Sequence, residues 1–198
     1  DGRASVRVLV TDGNERAALA VTRALGREQV EVVVGAETDR SLAGSSRYCR
    51  QSFVYPSPYQ DPEGFVAALL DMSRKYEVDA LFPISDIAMH VIGPERMQFE
   101  RYTRIPTPPA AVFQEISDKY RLMRRAVSEG VGIPGTVFVP DGNLEKIIDA
   151  ITDFPVVVKP GCSLVKDGRQ WKKTSVCYAE SREDLLRLYD EKSYLRAP

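Results

Sequence analysis

The sequence lacks the features of a membrane-spanning segment, of a disulfide framework and of a nucleic-acid-binding surface. No apolar run approaches the ~20 residues that a membrane-spanning helix needs. The three cysteines, Cys49, Cys162 and Cys177, are odd in number and show no CxxC spacing, which argues against disulfide pairing and against a zinc site. The 27 basic and 28 acidic side chains give a net charge of −1, so no positive excess is present to neutralise a phosphate backbone. We therefore expect neither a membrane nor a nucleic acid as partner.

The sequence also lacks the marks of a secretory signal. Residues 1–5 lead directly into an apolar strand pattern, without a basic start, an apolar stretch and a small-residue cleavage site. Unpaired cysteines are typical of a reducing compartment, and together these features predict a cytoplasmic protein.

Glycine is scarce in the first loop, where a dinucleotide site would need it. Residues 11–16 (TDGNER) contain only Gly13, whereas a GxGxxG motif lets the backbone approach a pyrophosphate at a helix N-terminus. The sequence therefore disfavours a nicotinamide or flavin site of the Rossmann type.

Short apolar strands alternate with amphipathic helices through the first half of the chain. Hydrophobic residues make up 43% and charged residues 28% of the 198 residues, which is typical of one large or two small globular domains. The alternation predicts a parallel sheet covered on both faces, an α/β Rossmann-like domain over residues 1–109. Strands are predicted at 6–11, 30–35, 51–55 and 80–83, with helices ending at Gly26, spanning 63–76, and running from 86 to about 92.

The pattern changes beyond the proline cluster at 106–109 (PTPP), which is the best candidate for a linker. A mixed order of helices and strands then predicts a small α+β lobe over residues 110–198. Helices are predicted at 119–129, 144–151 and from 182, and strands at 136–139, 155–159 and 171–179, the last two joined through a turn at 166–168.

Polar side chains follow two strands predicted for the first domain. Asp12 and Asn14 follow the first strand, and Ser85 and Asp86 follow the fourth. Open parallel sheets bind ligands at the edge where their strands end, so these residues are candidates for ligand binding. Turn formation and helix capping are the alternative for all four.

Two lysines occupy positions that favour contact with an anion. Ser117 can cap the helix that follows it, and Asp118 suits the positive end of the helix dipole, but Lys119 does not. Because helix N-termini attract phosphate, a lysine held there makes sense beside a bound anion. Lys159 ends a buried apolar strand, where it could be placed at the rim of a cleft. For both lysines the alternative is a solvated or snorkelling side chain.

The stretch 118–136 (DKYRLMRRAVSEGVGIPGT), followed by 154–160 (FPVVVKP), resembles the ATP-grasp superfamily. In that pattern a helix beginning with DK leads to a GIP turn, and a PVVVKP strand follows later in the chain. A small α/β domain precedes the nucleotide fold in these enzymes, so the resemblance covers nearly the whole chain. The carboxylate–amine ligases that resemble carbamoyl-phosphate synthase are the most similar group.

The resemblance implies that Lys119 and Lys159 contact the phosphates of ATP, with Mg²⁺ as a second cofactor. It also implies that residues 161–173 form a flap over the triphosphate, with Ser163 and Lys166 among the ATP contacts. Many relatives have a glycine-rich flap, but this segment has few glycines. Contacts through lysine side chains are therefore expected in place of contacts through backbone N–H groups.

For the enzyme, the resemblance implies a ligase that activates a small-molecule carboxylate as an acyl phosphate, which an amine or a similar nucleophile then attacks. The substrate would lie near the carboxyl edge of the first sheet. This implies a set of substrate-binding candidates: Asp12, Asn14, Glu15, Ser85 and Asp86.

The second lobe of an ATP-grasp fold supplies the catalytic and magnesium-binding groups, and nothing in residues 110–198 matches it. We expect the chain to be the N-terminal fragment of a ligase, inactive alone and without a metal site, with homo-oligomerisation left open. Two alternatives remain, a non-catalytic nucleotide-binding or interaction module and an unrelated α/β nucleotide-sugar transferase. His90 is predicted to be structural, since no partner triad can be proposed for it. Trp171 is predicted to cover the core and not to stack on a base. No adjacent base or nucleophile motif supports catalysis by Cys162.

Overall fold

A computed structural model describes residues 5–139, 142–168 and 170–196. The chain divides into two compact units, which are described separately. The first unit extends to Ala110 and also includes Asp167–Trp171. The second unit comprises Ala111–Lys166 and the chain from Lys172 onward. No described helix is both long enough and apolar enough to cross a membrane.

The first unit is built on a four-stranded parallel sheet of β1 Arg7–Val10, β2 Glu31–Ala36, β3 Cys49–Val54 and β4 Ala80–Phe82, in the order β3-β2-β1-β4. Its central strand β1 pairs with a neighbour on each side, so that Leu9 lies opposite both Val33 and Leu81. The parallel sheet and its helices confirm the predicted α/β class.

Helix α1 Arg16–Arg27 connects β1 to β2, α2 Pro62–Lys75 connects β3 to β4, and α3 Asp86–Phe99 follows β4. The Asp61 side chain accepts a hydrogen bond from the Gly64 N–H at the start of α2, and Ser85 accepts one from the Ala88 N–H at the start of α3. These caps satisfy N–H groups that a helix cannot pair internally.

Two helix ends in the first unit differ from the predictions. The first helix does not end at Gly26 but continues to Arg27. A Cβ on Gly26 would lie 2.4 Å from the Cβ of Tyr48, so the glycine serves close packing. The third helix does not stop near residue 92 but continues through Pro94 to Phe99. Phe99 is fully buried, and this burial favours the extra turns despite the proline.

The second unit is a small α+β lobe, in agreement with the predicted class. Strands β5 and β8 form one antiparallel pair, and β6 and β7 form another two-stranded sheet, of which residues Asp167–Trp171 belong to the first unit. The elements are α4 Ala110–Ser117, α5 Lys119–Ser128, β5 Val156–Val158, β6 Leu164–Asp167, β7 Gln170–Lys173, β8 Cys177–Ala179 and α6 Arg182–Glu191, with short 3₁₀ turns at Leu144–Lys146, Ile148–Ala150 and Ser193–Leu195.

The core of the second unit is small. Leu144, Ile148, Ala179 and Leu185 are buried together, and partly buried apolar side chains surround them. The predicted inward face of residues 144–151 is therefore confirmed, although the backbone forms two 3₁₀ turns there and not one α-helix.

Several other local predictions for the second unit are wrong. Residues 136–139 form no strand in the described chain, and α4 was not predicted. The predicted strand at 171–179 is two strands, because β7 pairs with β6 whereas β8 pairs with β5. Ser117 ends α4 and is not the cap of the next helix. Asp118 caps α5 instead, since its carboxylate reaches two backbone N–H groups there.

Candidate functional site

The start of α5 is fixed to the segment that follows β5. Asp118 Oδ1 accepts hydrogen bonds from the N–H groups of Tyr120 and Arg121, at 2.9 and 3.2 Å. The Lys119 N–H donates to the Gly161 carbonyl oxygen at 2.8 Å. Because both contacts involve the backbone, they hold Lys119 in place whatever its side chain does.

The Lys119 ammonium contacts a residue that the sequence places far along the chain. Its Nζ donates to Ser163 Oγ at 2.9 Å, in a half-buried environment. Thr174 fixes the same segment from the other side, because its N–H donates to the Ser163 carbonyl oxygen at 2.9 Å and its Oγ1 to the Cys162 carbonyl oxygen at 2.8 Å. Two residues predicted to bind ATP are thus in direct contact.

Lys159 lies one residue beyond β5 and is exposed. Side chains alternate between the faces of a strand, so Lys159 shares a face with Val157. Val157 lies opposite Tyr178 in β8, and these two side chains are 51% and 66% exposed. The lysine therefore continues an uncovered apolar surface that includes an aromatic ring. We call Val157, Lys159 and Tyr178 the open face.

The structure brings the predicted ATP-binding residues together to different degrees. Lys119 and Ser163 touch, and Lys159 is joined to them through Gly161, two residues further along. Lys166 is an exposed residue of β6.

The neighbouring thiol of Cys162 is half-buried. Burial raises the pKa of this thiol, Asp118 raises it further, and Lys119 and Arg121 act in the opposite direction. The group is therefore held in its neutral, poorly nucleophilic form.

A separate cavity of about 290 Å³ lies at the carboxyl edge of the first unit's sheet. Four of the predicted substrate-binding residues line it, and Asp86 follows one of them in the sequence without lining the cavity. The predicted lining residues are Asp12, Asn14, Glu15 and Ser85.

Asp12 has a structural role in the wall of this cavity. Its Oδ2 accepts hydrogen bonds from the N–H groups of Ser85 and Ile84, at 3.0 and 3.3 Å. Its own N–H donates to Tyr55 Oη at 2.7 Å. Its φ of 57° lies in the left-handed region, which aspartate tolerates better than most residues. Asp12 thus ties the loop after β1 to the loop after β4.

The other predicted residues in this region have mixed roles. Asn14 Nδ2 donates to Thr38 Oγ1 at 3.1 Å, and Ser85 caps α3. Asp86 lies in the first turn of α3, where a negative charge favours the helix. Glu15 precedes α1 without capping it through its side chain. Capping therefore accounts for Ser85, whereas the Glu15 carboxylate is left for other contacts.

Seven further residues that line the cavity were missed from the sequence, and three of them have titratable side chains, namely Glu37, Tyr55 and Tyr59. Glu37 follows the end of β2 and Tyr55 follows the end of β3. The rule that predicted Asp12 and Ser85, that ligand-binding residues follow strand ends, would have found both if applied to all four strands.

Burial and nearby carboxylates raise the pKa values of the two tyrosines. Burial, followed by the nearby Asp12 carboxylate, raises the pKa of Tyr55. Burial also raises the pKa of Tyr59, as do the charges of Asp12, Glu37, Glu15 and Asp86 in decreasing order. Both phenols are therefore protonated at neutral pH and are hydrogen-bond donors.

His90 and Trp171 pack against each other in the first unit. Their ring centroids are 5.0 Å apart with the planes inclined by 30°, and the backbone N–H of Trp171 donates to the Tyr59 carbonyl oxygen at 3.0 Å. Burial lowers the pKa of His90, partly offset by Asp86. Within the described residues, no group of three or more histidine, cysteine or acidic side chains is arranged to hold a metal ion.

No protein-family model matches the sequence, and no curated protein matches it. Solved structures do match its fold. The biotin carboxylase domain of 2-oxoglutarate carboxylase from Hydrogenobacter thermophilus, solved with MgADP, ADP and bicarbonate, superposes with a TM-score of 0.62 over 93% of this chain at 19% identity. N5-carboxyaminoimidazole ribonucleotide synthetase from Thermotoga maritima gives 0.61 over 92% at 19% identity. L-amino acid ligase from Bacillus licheniformis gives 0.66 over 96% at 13% identity.

All three are ATP-grasp enzymes. The chain shares its fold with them over the matched portions. It matches the N-terminal portions of these proteins, and it spans 40%, 43% and 42% of their respective lengths. The fold class predicted from the sequence is thereby confirmed, and the predicted resemblance to ATP-grasp enzymes is confirmed for the fold. At these identities the likeness establishes the fold, and the roles of individual residues are argued below from their own chemistry.

Proposed function

We propose that this chain is the front part of an ATP-dependent carboxylate–amine ligase, similar to carbamoyl-phosphate synthase, that acts in the cytoplasm. The observation that carries the proposal is the hydrogen bond from the Lys119 ammonium to Ser163 Oγ, at 2.9 Å. Ser163 lies only four residues after Lys159 in the chain. The ATP-grasp fold and the three free cysteines support it.

In the proposed reaction, a carboxylate oxygen of the substrate attacks the γ-phosphorus of ATP, and ADP leaves with the electrons of the broken bond. The amine then attacks the acyl carbon, phosphate leaves, and the amine loses a proton. Phosphoryl transfer depends mainly on positioning and on positive charge around the phosphates. Mg²⁺, bound by a second lobe, would supply part of that charge.

We assign Lys119 and Lys159 to the phosphates, with Ser163 and Lys166 as further ATP contacts. The Lys119 ammonium has a hydroxyl partner, which an incoming phosphate oxygen can join or replace as a stronger acceptor. The residues of the open face suit an adenine ring, because a purine can stack on an exposed aromatic side chain next to a cation.

The test measures binding of MgATP and of magnesium tripolyphosphate to the 198-residue chain by calorimetry. Lys119→Met and Lys159→Met should each weaken binding of both ligands by about ten- to a hundredfold, since each removes a charged hydrogen bond. Tyr178→Ala should weaken MgATP binding by about fivefold or more and leave tripolyphosphate unaffected, because only ATP has a base to stack.

Lys75→Met is the matched control. Lys75 is an exposed lysine at the end of α2 in the first unit, so its replacement should leave both affinities unchanged. Equal affinities for all four variants would contradict the assignment. Phosphate release by the longer protein, measured across a panel of amino and hydroxy acids, then tests the ligase chemistry. Nucleotide binding without any phosphate release would favour a non-catalytic module.

A further inference from the structure

The cavity in the first unit has a chemistry that does not suit a carboxylate. The described residues that line it include Asp12, Glu15 and Glu37 and no lysine, arginine or histidine. A bound anion would therefore meet three carboxylates and no positively charged lining residue. The expectation that a substrate carboxylate lies against Asp12, Glu15 and their neighbours fits the sequence position of these residues but not their charge.

The mouth of the cavity has two carboxylates available to a ligand. Glu15 and Glu37 are exposed, and neither side-chain carboxylate forms a hydrogen bond or an ion pair within the described part of the chain. Asp12 differs, because its Oδ2 already accepts two backbone N–H groups. The available negative charge is thus concentrated at Glu15 and Glu37.

The wall of the cavity provides a buried donor. The side chain of Tyr55 is only 3% exposed, and its oxygen accepts a hydrogen bond from the Asp12 N–H. The hydroxyl hydrogen has no acceptor among the residues that the structure describes. A buried donor without an acceptor is costly, so a neutral acceptor on a bound molecule would complete this site.

The size of the cavity indicates a small organic molecule. A volume of about 290 Å³ holds roughly ten water-sized groups. That is near the lower end for ligand pockets and matches a molecule about as large as an amino acid.

We propose that this cavity binds a small molecule carrying a protonated amine, with the ammonium group between Glu15 and Glu37 and a neutral acceptor on the Tyr55 hydroxyl. The identification of this molecule as the amine substrate of the ligase rests on the proposed function above. The proposal that the cavity binds a protonated amine does not depend on that function.

The test compares three probes of nearly the same shape by NMR titration of the 198-residue chain at about pH 6.5, where an α-amino group is mostly protonated. L-alaninamide is a cation, L-lactamide is neutral and L-lactate is an anion. We expect alaninamide to bind at least tenfold more tightly than lactamide, lactate to bind more weakly than both, and the shifted amides to include those of Gly13 and Thr38.

Two variants and a matched control test whether the carboxylates of Glu15 and Glu37 bind the ammonium group. Glu15→Gln and Glu37→Gln should each weaken alaninamide binding about fivefold and leave lactamide binding unchanged, because only the cation loses an ion pair. Glu28→Gln removes an exposed glutamate at the end of α1 that does not line the cavity, and it should change neither affinity.

Several results would overturn the proposal. These are equal affinity for the three probes, tightest binding of lactate, an equal loss with Glu28→Gln, or stronger shifts of the same amides with magnesium chloride alone. The ligase proposal fails separately. If alaninamide binds but the lysine variants leave MgATP binding unchanged, only the nucleotide assignment falls, and the reverse result removes only the cavity assignment.

Discussion

The two units present opposite surfaces to a ligand. The first unit has a cavity of about 290 Å³ with carboxylates at its mouth. In the second unit, Lys119 donates a hydrogen bond to the Ser163 hydroxyl, and Lys159 lies on the open face. An anion such as a nucleotide phosphate suits the second surface, and a protonated amine suits the first. The comparison teaches that a net charge near zero can conceal two local surfaces of opposite charge.

The units also differ in how their sheets are covered. In β1, Val8, Leu9 and Val10 are all buried, as expected for a parallel sheet with helices on both faces. In β5, Val157 is 51% exposed between two partly buried neighbours, as expected for a sheet covered on one face. The second unit therefore depends on far fewer apolar side chains than the first.

The largest expected effect follows from this difference. Leu185→Ala removes a side chain that is 2% exposed from the small core of the second unit, at a cost of about 2–5 kcal/mol. We expect hydrogen exchange to show loss of protection throughout the second unit while the first unit's sheet stays protected.

Leu186→Ala is the control, since it makes the same change one position along α6 at a side chain that is 38% exposed. It should leave protection in both units nearly unchanged. Uniform loss of protection across the whole chain in Leu185→Ala would show that the two units do not differ in stability as their cores suggest.

A smaller effect should have opposite signs in the two units. Thr22 and Thr174 are both buried. Thr22 Oγ1 has no hydrogen-bond partner among the described residues, so Thr22→Val should stabilise by about 1 kcal/mol. Thr174 Oγ1 donates to the Cys162 carbonyl oxygen, so Thr174→Val should destabilise by about 1–2 kcal/mol. Urea denaturation measures both, and changes of the same sign would contradict these hydrogen-bond assignments.

The smallest expected effect concerns pH and belongs to the first unit, which contains the chain's only histidine. Burial lowers the pKa of His90 in the folded state, so the unfolded chain binds a proton more readily. The contribution of neutral His90 to stability is therefore complete above the ordinary histidine pKa of about 6.5, and it is lost as the pH falls through the lower pKa of the folded state.

Thermal unfolding of wild type and His90→Gln between about pH 7.5 and pH 5 checks this, because the window spans the ordinary histidine pKa. The wild-type midpoint should fall more steeply with decreasing pH than that of the variant. Parallel curves would show that His90 does not couple to folding.

Local periodicity was sufficient to predict most of this fold. The apolar run around Val8 and the inward spacing of Leu144 and Ile148 depend on neighbours in the sequence, and both predictions agree with the structure. The extension of α3 was not predictable in this way. It includes Arg96, whose guanidinium donates to carbonyl oxygens beyond the helix, among them that of Ile105 at 2.7 Å. Contacts of that kind appear only after the chain has folded.

The candidate sites show the same limit. The motif containing Lys119 predicts a lysine at a helix start, but its contact with Ser163 joins residues 44 positions apart. The polar residues after β1 and β4 were predicted from strand ends, whereas Glu37 and Tyr55 were overlooked at the ends of β2 and β3. Charge was the larger omission, because the sign of the cavity depends on which carboxylates the fold gathers.

The conformation of Asp12 limits what evolution or a mutant library can place there. The backbone has a φ of 57°, which glycine, asparagine and aspartate tolerate best. Of these, only asparagine and aspartate have a side-chain oxygen able to reach the amides after β4. Position 12 should thus accept only asparagine or aspartate. The residue found at this position can therefore distinguish sequences that keep this cavity from sequences that share only the sheet.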